Sequence, residues 1–233
     1  MIDPHNQQPA PRFRHLVVLA NPAPEGFDHA IVDAYREVVE SHHQDVLVRD
    51  LYAVGFDPVL RATERPTEPG WLPAPDVAVE LEHVRTCDII VFVYPIWFGL
   101  PPAMLKGYVD RVLGAGYSFR DVHAAKGHPL VEGKPLLSFS TSGTPLSWLG
   151  EQGQVLSLKE IFDVYLMRGL GLSQAEHIRI DSVVPGMKPV YAAEQLERVR
   201  AAAEKACANL AAGHYREQAQ AALRRRQDHA GSA

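Results

Sequence analysis

Cysteine is scarce: the 233 residues hold 2, Cys87 and Cys207, far apart and at no metal-ligand spacing. This excludes a disulfide framework and a cysteine-based zinc site, and it suits a reducing cytoplasm. Long apolar runs are also missing, since none reaches the ~18–20 residues needed to cross a bilayer as a helix. The opening MIDPHNQQPAPRFR lacks the apolar centre of a signal peptide, so residues 1–13 are expected to form a flexible tail. Basic charge is in deficit, with 23 Lys+Arg against 28 Asp+Glu and a net charge of -5. A protein built mainly to grip nucleic-acid phosphates needs the opposite balance. The run Arg224-Arg225-Arg226 follows an Ala-rich helical pattern and reads as a solvated helix end. The 11 histidines show no HExxH or other compact ligand spacing, so no metal site is expected. No G-x-S-x-G surrounds Ser138, Ser140 or Ser142, which argues against a serine hydrolase.

What is present suits a globular chain, with 46% hydrophobic and 22% charged residues. The length fits one α/β domain with elaborated loops, expected over 14–226, with 227–233 as a second flexible tail. Short β-branched runs alternate with stretches of helical spacing, the pattern of βαβ units. Strands are expected at 16–20, 45–50, 89–94, 135–140 and 177–180. Helices are expected at 31–39, 76–86, 103–113 and 155–168, and from 192 onward. The run Ile89-Ile90-Val91-Phe92-Val93-Tyr94 is apolar throughout, as a central strand covered on both faces must be. The alternating Asp45–Asp50 segment suits a sheet edge. Between Leu51 and Pro75 the prolines at 58, 66, 69, 73 and 75 forbid a continuous helix, so this connection is expected to build a pocket wall or an interface. The units predict a doubly wound parallel sheet of order 2-1-3-4-5 with helices on both faces.

In such sheets ligands bind beyond the carboxyl ends of the strands. Three loops meet there. Asn21-Pro22-Ala23-Pro24-Glu25-Gly26-Phe27-Asp28 leads into a helix whose first N–H groups suit a phosphate; the alternative is a plain turn with Asp28 as N-cap. Pro95-Ile96-Trp97-Phe98-Gly99 presents aromatics after a buried strand, as a platform for a planar ring or as a cap on the core. Thr141-Ser142-Gly143-Thr144-Pro145 offers N–H and O–H donors to a ring edge, or is an ordinary turn. His123 and His128, in the loop after the proline-started helix, are candidates to touch a substrate.

The stretch Tyr94-Pro95-Ile96-Trp97-Phe98-Gly99-Leu100-Pro101-Pro102-Ala103-Met104-Leu105-Lys106-Gly107-Tyr108-Val109-Asp110-Arg111-Val112 resembles the P-x-x-W-F-G-x-P-A-x-L-K-G-W-x-(D/E)-R-V signature of the NAD(P)H:quinone oxidoreductases. Asp50-Leu51-Tyr52-Ala53 with Phe56-Asp57-Pro58 is similar to that family's DLY…F-x-P segment, and the likeness runs from about residue 14 to 181. The resemblance implies a flavodoxin-like homodimer that binds FMN, with FAD as the alternative. It further implies that NAD(P)H and a quinone or similar flat acceptor exchange two electrons with the flavin in turn. On that likeness the backbone of Pro95, Ile96, Trp97 and Phe98 and the loop Thr141, Ser142 and Gly143 hold the ring. Asn21, Gly26, Phe27 and Asp28 hold the ribityl chain and phosphate. The family's tyrosine and histidine that stabilise reduced flavin fall, counting from Ser140, on Trp148 and Gln154. Both donate hydrogen bonds; neither shuttles a proton near neutral pH. The phosphate loop departs from the family's H-P-x-x-x-S-F-N: it lacks the hydroxyl and carries the carboxylates of Glu25 and Asp28, which would repel a phosphate. Beside the enzyme stands a second reading, a dimeric ancillary subunit that regulates a partner protein and keeps weak redox activity.

Overall fold

The computed structural model describes residues 12–65 and 71–230. Residues 1–11 of the expected N-terminal tail, Pro66 and Pro69 of the long connection, and residues 231–233 lie outside the described residues. The strands are β1 (Arg14–Leu19), β2 (Asp45–Asp50), β3 (Ile89–Pro95), β4 (Pro135–Thr141) and β5 (Gln174–Ile180). They form one 5-stranded parallel sheet of order β2-β1-β3-β4-β5, the order expected from the sequence, with β3 at its centre and β2 at an edge.

Side chains alternate across the pleat and so build a core on each face. Val17, Leu19, Val91, Val93, Leu137 and Phe139 face α1 (Phe27–Ser41) and α8 (Pro189–Ala230), which contribute Ile31, Tyr35, Val39, Val199, Ala203 and Cys207. Burying each large side chain of this group contributes about 1.5–3 kcal/mol. Leu16, Val18, Ile90, Phe92 and Tyr94 face the other layer, where α2 (Pro75–Thr86), α3 (Ala103–Tyr108), α6 (Gln154–Leu158) and α7 (Tyr165–Leu170) add Val77, Leu105, Leu158 and Leu166. α4 (Phe119–His123) and α5 (Leu146–Glu151) form within segments expected to be loops. Ser118 starts α4 through a capping box with Asp121.

Two expected helices are interrupted. After α3 the chain makes a π-turn over Val109–Leu113, and between α6 and α7 another over Lys159–Val164. In the first, Gly114 N–H reaches back to Val109 O at 2.8 Å, one residue further than an α-helix allows. The extra residue turns a charged side chain inward in each case: Arg111 in one, Asp163 in the other, both buried. Arg111 anchors the long connection by bonding to Glu64, Asp76 and the Asp57 carbonyl. Gly107 is required by the same packing, because a Cβ there would lie 2.3 Å from the Pro58 carbonyl oxygen. α8 continues to Ala230, past Arg226, where the sequence suggested that folded structure ends.

Candidate functional site

Larger surface concavities, of about 780 and 600 Å³, open around Gln44, Asp45 and Tyr215 and around Ile89, Pro135 and Gln174, at the amino ends of the strands. Doubly wound sheets use the opposite end, and there the three loops converge. They are joined covalently to the strands and to each other by hydrogen bonds. Ile96 N–H donates to Thr141 O at 2.7 Å, linking the second loop to the third. The Asp28 carboxylate, at the start of α1, interacts with the Thr141 side chain, linking the first loop to the third.

The first loop hands over to α1 through Gly26, whose extended backbone makes it the N-cap without a side-chain cap. The opening N–H groups of a helix have no intrahelical acceptor, so this end is a place for an anion. A Cβ on Gly26 would meet only the Ala23 Cβ, at 4.0 Å, so the approach is open. Asp28 is not the N-cap. It lies inside the first helical turn, is 1% exposed, and turns its Oδ2 under the loop to accept from Asn21 Nδ2 at 2.8 Å. Its Oδ1 has no partner, and burial raises its pKa against the opposing hydrogen bonds of Thr141 and Asn21. The expected repulsion of a phosphate by Asp28 is thereby reduced, because the carboxylate is buried and turned under the loop toward Asn21. Glu25 stays exposed. Phe27 packs its ring on the core and offers only backbone to the loop.

In the second loop Trp97 and Leu100 exchange N–H···O bonds of 3.0 and 3.1 Å around Phe98 and Gly99. Both apex residues have positive φ, +50° and +81°, the signature of a type I′ turn. Left-handed φ costs a residue such as phenylalanine about 1–2 kcal/mol. The turn leaves the Phe98 side chain fully exposed and Trp97 43% exposed. The aromatic-platform reading fits this placement better than a cap on the core does. The N–H groups of Ile96 and Trp97 are already committed, and those of Phe98 and Gly99 stand outside those bonds.

The third loop is more inward than its hydroxyls suggested. Thr141 and Ser142 are buried, and Ser142 Oγ accepts from Thr144 N–H at 3.0 Å. Ser142 N–H donates to Ile180 O, and Gly143 is the exposed member. Of the two residues assigned to stabilise charge, Gln154 is brought to the second loop: a Cβ on Gly99 would lie 3.7 Å from its Cδ. Gln154 joins Ile96, Gly99, Leu158 and Arg179 around a small cavity of about 10 Å³. Trp148 sits on α5, 48% exposed, and does not line that cavity. His128 is a core residue bonded to Ala115 O and Leu130 N, so it is not placed to touch a substrate; His123 is on the exposed face of α4, against Phe119.

Sequence reasoning missed a buried polar chain directly under these loops. Ser140 Oγ and His177 Nε2 are 2.7 Å apart, His177 Nδ1 and Asp163 Oδ2 are 2.7 Å apart, and Arg179 Nη2 donates to the same Asp163 oxygen at 3.2 Å. Burial lowers the His177 pKa against the hydrogen bond of Asp163, so the ring is neutral near pH 7. Its proton then sits on Nδ1, facing the carboxylate, and Nε2 accepts from the Ser140 hydroxyl. The geometry resembles a hydrolytic triad, yet Ser140 is 0% exposed within the sheet and can meet no substrate. The polar alternation His177, Arg179 in a strand otherwise covered by helix was the available signal. Among the described residues no group of His, Cys, Asp and Glu is arranged to hold a metal ion, and no helix is long and apolar enough to cross a membrane.

Known proteins agree with this architecture. A family described as having a flavodoxin-like fold matches residues 14–207. The chain is 29% identical over 165 residues to an uncharacterized NAD(P)H oxidoreductase of Haemophilus influenzae, covering 70% of this chain and 81% of that protein. It is 31% identical over 150 residues to rat NAD(P)H dehydrogenase (quinone) 1, covering 56% of this chain and 54% of the relative, so it spans about half of that protein. Its fold superposes on an NAD(P)H:quinone oxidoreductase from Methanothermobacter marburgensis with a TM-score of 0.70 at 23% identity, over 83% of this chain and 96% of that one. A Bacillus anthracis FMN-dependent NADH-azoreductase, solved in complex with FMN, superposes with a TM-score of 0.61 at 16% identity, over 85% and 99% of the two chains. Fold and family match together place the chain in the family described as having a flavodoxin-like fold, and its curated relatives include NAD(P)H oxidoreductases and quinone dehydrogenases.

Proposed function

We propose that the protein is a flavin-dependent oxidoreductase that takes two electrons from NAD(P)H and delivers them to quinones or similarly flat acceptors, working in the cytoplasm as a homodimer. The observation that carries this reading is the convergence at one end of the sheet of an open helix start, an exposed aromatic turn and the Thr141–Gly143 loop. FMN fits the chain better than FAD, since the three loops offer a phosphate end and a ring platform but no adenosine shelf. The flavin, when bound, supplies the hydride chemistry. The protein's part is to hold and orient. The first-turn amides of α1 would take the phosphate. Trp97 and Phe98 would flank the ring and keep water from its face, and the Phe98, Gly99 and Gly143 amides would donate to its polar edge. Gln154 would hold a donor beside that edge. Donor and acceptor would occupy one place in turn, so that neither needs a site of its own.

Exposed Phe98, Leu156, Ile161 and Tyr165 support an apolar contact with a second copy, and the free, buried Cys87 and Cys207 support a reducing compartment. The exposed Glu25 on the phosphate loop favours one second reading, an ancillary subunit with weak flavin binding. Titration of the purified protein with FMN and with FAD, followed by NADH and NADPH oxidation with menadione, separates the two. Micromolar or tighter FMN binding with menadione-dependent turnover, both reduced at least tenfold in Trp97→Ala, is the expected result. A protein that binds neither flavin and oxidises neither nucleotide refutes the proposal.

A further inference from the structure

The carboxyl-end rows of the sheet carry more buried polarity than the fold requires. Register places Tyr94, Ser140 and Arg179 side by side on β3, β4 and β5, one residue before those strands end at Pro95, Thr141 and Ile180. Phe92, Ser138 and His177 form the next row on the same face. The π-turn over Lys159–Val164 lays Phe162 and Asp163 over both rows, with Phe162 against the rings of Phe92 and Tyr94. Here the Tyr94 hydroxyl, Ser138 Oγ, Asp163 Oδ1 and Arg179 Nε are all buried without a hydrogen-bond partner. Native interiors rarely leave so many polar atoms unpaired in one place.

Comparison with two other inward-turned arginines separates clamp from charge. Arg111 engages all three guanidinium nitrogens with Glu64, Asp76 and the Asp57 carbonyl, Arg49 holds the Glu80 carboxylate through Nε and Nη2, and both tie distant segments together. Arg179 shares a single carboxylate with His177, through one bond of 3.2 Å, and its Nε is unused. It also lines the small cavity with Ile96, Gly99 and Gln154, the residues expected at the edge of the ring. Gln154 carries no charge, and Trp148 lies outside that cavity, so neither offers a cation to the charge that two-electron reduction leaves on a flavin.

We infer that Arg179, steered by the Ser140–His177–Asp163 chain, is the positioning residue that supplies positive charge to the flavin site through Gln154 and the Ile96–Gly99 turn, favouring the reduced cofactor. The chain has a direction: the Ser140 hydroxyl donates to His177, His177 to Asp163, and Asp163 holds Arg179. Its upper end, Ser140, immediately precedes Thr141, so the orientation of the guanidinium and the third loop are set by one strand. Arg198 donates to the Arg179 carbonyl and Asp181 holds the Leu146 N–H at the start of α5; both pin the backbone around the pair without engaging the guanidinium. This inference rests on the flavin-dependent reading above.

The test uses full-length protein loaded with FMN and measures oxidised-FMN affinity and the two-electron midpoint potential for wild type, Arg179→Met, Arg179→Lys and Asp163→Asn. Removing the cation is expected to weaken binding of reduced relative to oxidised FMN by roughly tenfold, which for a two-electron couple is about 30 mV more negative. Asp163→Asn removes the opposing charge and is expected to shift the potential in the positive direction; Arg179→Lys stays close to wild type. Opposite signs distinguish an electrostatic role from damage to packing. An unchanged potential in Arg179→Met, or shifts of the same sign in Arg179→Met and Asp163→Asn, overturns the inference while leaving flavin binding intact. If Arg179→Met does not fold, the sign of the Asp163→Asn shift decides. Failure of the wild type to bind any flavin overturns this inference together with the proposed function.

Discussion

Replacing Arg111 with methionine should destabilise the fold by about 3–5 kcal/mol, the cost of breaking a buried ion pair from one side. The figure follows from which partner is stranded. Glu64 is 8% exposed beside an arginine side chain that is 3% exposed, and Arg111 Nε and Nη2 reach its Oε1 at 2.9 and 2.6 Å. Without the guanidinium that carboxylate keeps, among the described residues, the Arg61 N–H at 2.9 Å. Asp76 is 46% exposed and rehydrates when released, so its share is below about 1 kcal/mol. Methionine fills much of the space under Phe56, over which the guanidinium stands at 5.4 Å, and this limits the packing loss. Equilibrium urea denaturation of the apoprotein measures the change. The double variant Arg111→Met/Glu64→Leu should recover more than half of the loss, because it removes the stranded charge. A single variant that loses less than about 1 kcal/mol, or a double variant no more stable than the single one, would refute the reasoning.

Two further predictions concern pH. Burial holds the pKa values of His15, His128 and His177 below the ordinary value of 6.5. Each is neutral when folded and protonated when unfolded in acid, so its contribution is complete above pH 6.5 and is lost as pH falls, by up to about 1.4 kcal/mol per pH unit for each histidine. Urea midpoints that stay flat between pH 7.5 and 5 would contradict this. Asp28 has the opposite sign. Its pKa is raised from 3.8 by burial, so it favours the folded state in acid and burdens it as pH rises through that elevated value. Asp28→Asn, which keeps an acceptor for Asn21, should raise the melting temperature at pH 8 and leave it unchanged near pH 3; equal shifts at both pH values would show that burial of charge is not the cause.

Strand positions were legible because the apolar run Ile89–Tyr94 admits only a strand covered on both faces, and the strand order follows from right-handed connections between such units. The π-turns were not legible. Apolar residues recur at three and four through 103–113 and 155–168 whether or not one residue is inserted, so the periodicity reads straight through the interruptions. That hid Asp163, and with it the partner of His177 and Arg179. Composition marks the three loops but does not say which donors are already used: Ile96, Trp97 and Ser142 spend their N–H groups on neighbours, and Phe98, Gly99 and Gly143 remain. Composition offered Asp28 as a cap, as the alternative to a phosphate site, because Asp at a loop–helix junction usually is one. Gly26 takes the cap position instead, and Asp28 turns inward.

The edge position of β2 bears on how copies of this chain can meet. An open strand edge is a template for pairing with another sheet, and unguarded edges lead to uncontrolled aggregation. Here the border carries Asp45, tied to Arg12, and Asp50 at its end, while Arg49 turns inward to the buried Glu80 of α2. A foreign strand pairing there would have to strip water from those charges. Growth of the sheet by edge addition is therefore disfavoured at β2.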